Sequence, residues 1–184
     1  MSVPPAQLDR PTRLLALFTA RAMTREEIAR LVEFCSQAYG EETPGASLRL
    51  VESVPEQPIF RIEATPGALL KESELVLRMH RLDDPASDHR AVVEHLRKLD
   101  EEIGQLAENS LEGAQTYLAL IGTRLLEQGR IRSFLNAGAL LGSALGALFL
   151  DPAAVMVTTD AGEWAEACEQ SLGIEGAMAS LRQQ

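Results

Sequence analysis

The chain has 184 residues, 46% of them hydrophobic and 24% charged, the balance of one globular domain and not of a disordered segment. Seventeen basic against 27 acidic side chains leave a net charge of −10, a field that repels nucleic acid and disfavours an anionic membrane surface. Aromatic residues make up only 4%, too few to build base-stacking platforms.

The opening, MSVPPAQLDRPTR, lacks the basic region and apolar core that export requires. Residues 1–12 read as a flexible Pro-rich arm ahead of a single domain over 13–184, and a cytoplasmic protein of bacterial type is the simplest placement. Arg13–Ala20 (RLLALFTA) is an apolar run without helical gaps, as in a strand buried on both faces. Thr24 and Glu27 form a capping box for the next helix, with Met23 and Ile28 placed as a hydrophobic staple. Ile28, Leu31, Val32, Cys35 and Ala38 keep to one face of it, and Gly40 is the expected stop.

Three extended segments follow, Leu48–Val54, Ile59–Ala64 and Glu74–Leu82. Their period-two alternation predicts an antiparallel meander with one dry and one wet face, lying toward a sheet edge. From Asp88 the spacing of Val92, Leu96, Leu99, Ile103 and Leu106 predicts one long amphipathic helix, capped by Asp84 or Ser87. Thr116–Leu126 reads as a second apolar strand and Ala153–Thr158 as a third, all three apolar on both faces and therefore central. Between the last two lies an uncharged stretch, Ser133–Leu150, in which Gly138, Gly142 and Gly146 recur every four residues. It predicts a buried, glycine-striped helix over 131–150 whose small face admits a close neighbour. Thr159 or Asp160 caps a helix carrying Trp164, Cys168 and Leu172, with Gly173 as its end, and the tail from Ile174 to Gln184 has room for one more short helix. The expected architecture is a single α+β domain with a mixed or antiparallel sheet of about five or six strands, covered by helices.

No catalytic signature emerges. Ser143 is not in a G-x-S-x-G elbow, Cys35 lies on a helix face predicted to be buried, and no glycine loop with lysine follows a strand. His80, His89 and His95 cluster near Asp83, Asp84 and Asp88, but their spacing is not that of a zinc helix, so no metal is assigned. Cys35 and Cys168 show no metal spacing either, and nothing calls for a cofactor. Carboxylates concentrate around Trp164, the only tryptophan, with Asp160, Glu163 and Glu166 beside it. A partly exposed indole ringed by carboxylates suits a basic protein partner, whereas a core tryptophan beneath a solvated helix face is the plain structural reading.

The first functional expectation is therefore a non-catalytic, acidic, partner-binding protein, of the kind that neutralises a toxin or escorts a secreted protein. The second is a small enzyme with a site at the His80/Asp83/Asp84/His89 turn. The third is a membrane-associated or homo-oligomeric protein that uses the Gly138/Gly142/Gly146 face.

Overall fold

The computed structural model describes residues 12–53, 59–68, 71–126 and 130–182; of the arm expected over 1–12, residues 1–11 lie outside the described residues and Thr12 belongs to the first strand. Its elements run β1 (Thr12–Thr19), α1 (Arg25–Glu42), β2 (Ser47–Ser53), β3 (Ile59–Thr65), β4 (Ser73–Arg81), α2 (His89–Leu99), α3 (Glu101–Ser110), β5 (Thr116–Thr123), α4 (Arg130–Leu145), β6 (Leu148–Asp151), β7 (Met156–Thr158) and α5 (Ala161–Arg182). The seven strands form one sheet in the order β2-β3-β4-β5-β1-β6-β7, and every ladder is antiparallel. This is an α+β fold with seven strands among the described residues, against the five or six expected.

Helices cover both faces, which explains why the inner strands are apolar on both sides. Along β1, Leu15 and Leu17 point into a core with α1, α4 and α5, while Ala16 and Phe18 point into a second core with α2 and α3. The β2–β3–β4 meander forms one edge, as its alternation implied. The other edge corrects the prediction. Val157 and its neighbours belong to a short, half-buried edge strand, β7, and the inner position beside β1 is taken by β6.

Strand β6 was read as the end of the glycine-striped helix. Helix α4 in fact stops at Leu145, where Gly146 takes a left-handed φ of 58°. The Ala147 N–H donates to the Gly142 carbonyl at 2.9 Å and the Gly146 N–H to the Ser143 carbonyl at 3.1 Å, the pattern of a Schellman stop. Gly138 and Gly142 do make the small face. A Cβ on Gly138 would stand 2.5 Å from the Trp164 ring, and one on Gly142 would stand 2.1 Å from the Phe149 ring. No helix among the described residues is long and apolar enough to cross a membrane.

The α1 capping box forms, with the Glu27 N–H donating to Thr24 Oγ1 and the Thr24 N–H to Glu27 Oε2, and α1 runs on past Gly40 to Glu42. The long helix expected from Asp88 is two. Asp100 leaves helical geometry and accepts a hydrogen bond from the Ile103 N–H, capping α3. Gly104 lets α3 fold back closely, since a Cβ there would lie 2.4 Å from the Arg97 backbone. The break leaves Leu99 and Leu106 about half exposed instead of in one seam. Asp88, not Asp84 or Ser87, precedes α2, and its side chain makes no cap hydrogen bond.

Candidate functional site

The last helix carries the residues singled out from the sequence. Asp160 starts it, accepting from the Glu163 N–H at 2.8 Å, and Glu163 in turn accepts from the Thr158 hydroxyl. Gly173 does not end the helix, which continues to Arg182. At 3.6 residues per turn, Trp164, Cys168 and Leu172 fall on one side of α5, and all three are fully buried.

The inner side of α5 closes on Asp151, at the end of β6. Asp151 Oδ1 accepts from the Ala153 and Ala154 N–H groups at 3.2 and 3.1 Å, folding the β6–β7 turn. Its Oδ2 accepts from Trp164 Nε1 at 3.0 Å and from Arg13 Nη2 at 3.1 Å. Arg13, itself 2% exposed, also donates to Ser171 Oγ at 3.1 Å and lies 3.4 Å from Glu175 Oε1. Ser171 Oγ donates to the Ala153 carbonyl. Such a buried ion pair is tolerated only when its remaining hydrogen-bonding capacity is met, as it is here. The network ties β1, β6, the β6–β7 turn and α5 together. Burial, with Asp151 adding to it, pushes the adjacent Cys168 thiol up to about 12. Burial alone raises Cys35 to about 11, so both cysteines are poor nucleophiles at neutral pH.

Trp164 is therefore not the partly exposed anchor that one reading of the sequence required. Its ring lies under Gly138 of α4, against Phe134 and Phe149, with its N–H spent on Asp151. What α5 presents outward is different. Asp160, Glu163, Glu166 and Glu169 are exposed on its N-terminal half, and Ile174, Met178 and Leu181 are 67%, 50% and 66% exposed on its C-terminal half. The sequence reading places Ile174, Met178 and Leu181 in a separate short helix beyond Gly173, whereas they continue α5. Nothing in the sequence pairs Arg13 with Asp151, because 138 residues separate them and only the fold brings them together.

The histidine turn is partly assembled. His80 on β4 lies opposite Tyr117 on β5, with ring centroids 6.1 Å apart, and His89 at the start of α2 meets the same ring edge-on at 6.4 Å. The Ser87 hydroxyl is 2.8 Å from His89 Nδ1. Burial, helped by Arg90, lowers the His89 pKa, favouring the neutral ring. Burial also raises the Tyr117 phenol, with Asp88 the acidic group acting on it. Tyr117 Oη and His80 Nδ1 are buried, and neither closes a hydrogen bond of ordinary geometry. Asp83 is drawn off to Arg81, and Asp84 stands 4.0 Å from His80 Nδ1. Ser87 and His89 resemble the first half of a nucleophile–base pair, but among the described residues no carboxylate is hydrogen-bonded to the His89 ring to orient it. His95 lies apart, on the wall of a groove of about 640 Å³ between α2 and the β6–β7 turn. Among the described residues no three His, Cys, Asp or Glu side chains converge to hold a metal ion.

No protein-family model, curated protein or solved structure matches this chain.

Proposed function

We propose that this is a non-catalytic cytoplasmic protein that binds a basic protein partner, with the outer side of α5 as the binding surface. One observation carries the reading. Asp160, Glu163, Glu166 and Glu169 all stand exposed on a helix whose inner side is locked to the sheet through Asp151. A rigid element bearing one sign of charge steers an oppositely charged partner and limits the entropy lost on binding. The role of Trp164 in this reading is support: it holds α5 from within, and Asp160, Glu163 and Glu166 meet the partner.

The reading is tested by capture from a lysate of the source cells with the immobilised chain at low and at high salt, each bound protein being identified. The expected outcome is a basic protein retained at low salt, released as salt rises, and lost from the Asp160→Asn/Glu163→Gln/Glu166→Gln variant. These changes keep shape and the Asp160 cap while removing charge. Retention by that variant equal to the wild type, or a partner insensitive to salt, contradicts the reading.

A further inference from the structure

The acidic half of α5 accounts for the sign of a partner but not for what lies beyond it. Leu172 is the last described side chain of α5 buried in the core, and beyond it Ile174, Met178 and Leu181 stand exposed. Ile174, Met178 and Leu181 are spaced four and three apart, so at 3.6 residues per turn they form one narrow stripe. Placed on the same helical wheel, Glu163 and Gln170 extend that stripe back toward the start of the helix. The row Glu163, Gln170, Ile174, Met178, Leu181 stays within roughly 80° of arc and runs about 27 Å at 1.5 Å per residue. Its first part is polar and acidic, its last part apolar, and the whole is exposed.

Single exposed apolar residues are ordinary, but three large ones in register on one helix are not. Helix–helix recognition uses such a row, in which one face supplies side-chain knobs and the partner supplies the holes. The charge of the row narrows the occupant. A second copy would bring another chain of net charge −10 and a second set of α5 carboxylates against the first. A segment bearing lysine or arginine beside its own apolar stripe satisfies both halves of the row at once.

Resting on the partner-binding reading above, we infer that α5 takes a basic amphipathic helix of its partner, laid along the row from Glu163 to Leu181. The segment's apolar stripe covers Ile174, Met178 and Leu181, and its cations face Asp160, Glu163 and Glu166.

The test uses the full chain and a labelled synthetic peptide of 18 residues, with leucines at helical spacing on one face and lysines on the other, followed by fluorescence anisotropy. A second peptide keeps the leucines and replaces every lysine with glutamate. The lysine peptide should bind, and the glutamate peptide should bind at least about tenfold more weakly. The Ile174→Ser/Met178→Ser/Leu181→Ser variant, checked for native circular dichroism, should lose about tenfold or more in affinity. In the Asp160→Asn/Glu163→Gln/Glu166→Gln variant, the dependence of affinity on salt should flatten.

If the serine variant binds the lysine peptide as tightly as the wild type while the charge variant does not, the apolar seat is overturned and the acidic surface stands. If the charge variant binds unchanged while the serine variant fails, the acidic surface is overturned, and with it the basic partner. A wild-type chain that binds neither peptide overturns both. Sedimentation showing a dimer that the serine variant abolishes would assign the stripe to a second copy and overturn the inference.

Discussion

The polar clusters around Asp151 and around Tyr117 are both buried, and they are finished to different degrees. At Asp151 all the polar partners are spoken for: Oδ1 holds the β6–β7 turn, Oδ2 holds Arg13 and Trp164, and Arg13 reaches on to Ser171 and Glu175. At Tyr117 the rings of His80 and His89 pack against the phenol, yet Tyr117 Oη and His80 Nδ1 close no hydrogen bond of ordinary geometry. A satisfied buried network fixes a fold, because each member would lose several partners at once if the elements separated. An incomplete one adds little stability, because a buried group without a partner has given up its bonds to water. The Asp151 end of the sheet is therefore a fixture on which α5 is mounted, while the other cluster holds a buried ring, His89, that disfavours the proton.

The largest expected effect comes from breaking the finished cluster. Asp151→Ala strands a buried guanidinium, the indole N–H and two turn amides, so it should cost about 3–5 kcal/mol in denaturant unfolding. A cost below about 1 kcal/mol would show that the network is ornamental. Next is the packing beneath it. Gly142→Leu drives a side chain into the Phe149 ring and should cost about 1–3 kcal/mol, since overpacked cores shift backbone and rotamers. An unchanged melting temperature would mean that α4 is not seated closely on the sheet.

The unfinished cluster should show itself in pH dependence more than in size. Burial lowers the His89 pKa from its ordinary 6.5, so the folded chain resists a proton that the unfolded chain accepts. Its contribution to stability is therefore complete above about pH 6.5 and is lost as pH falls from there through the lowered folded value. His89→Gln should flatten that acid-side slope in unfolding measurements made between neutral and mildly acidic pH. A slope that persists unchanged assigns the titration elsewhere.

Much of the fold was legible because local chemistry and tertiary need agreed. The Thr24–Glu27 box marked α1 on its own, and the alternation in β3 and β4 reported a sheet with two different faces. The misreadings arose where one residue served two patterns. Gly146 continued the four-residue glycine spacing, so it looked like helix interior, but it is the left-handed stop, and Leu148–Asp151 beyond it is a strand. Asp100 fell between apolar positions that kept helical period across a break, because a period is blind to a residue that caps the following helix. Asp151 and Arg13 could not be paired from sequence, since their 138-residue separation is closed only by the β1–β6 ladder. The carboxylates around Trp164 were plain in the sequence. Which side of the helix the indole faced was not, because that depends on Gly138 making room for it.

Trp164 is the only tryptophan, which makes it a clean reporter of how α5 is mounted. The most direct measurement is its fluorescence in the native chain, with acrylamide added as a quencher. If the indole is sealed beneath α4 and bonded to Asp151, emission is blue-shifted, quenching is weak until denaturant unfolds the chain, and a saturating lysine peptide leaves both unchanged. Emission at the position of free tryptophan in water, or strong quenching of the native protein, would contradict an α5 held from inside and presented outward by its carboxylates.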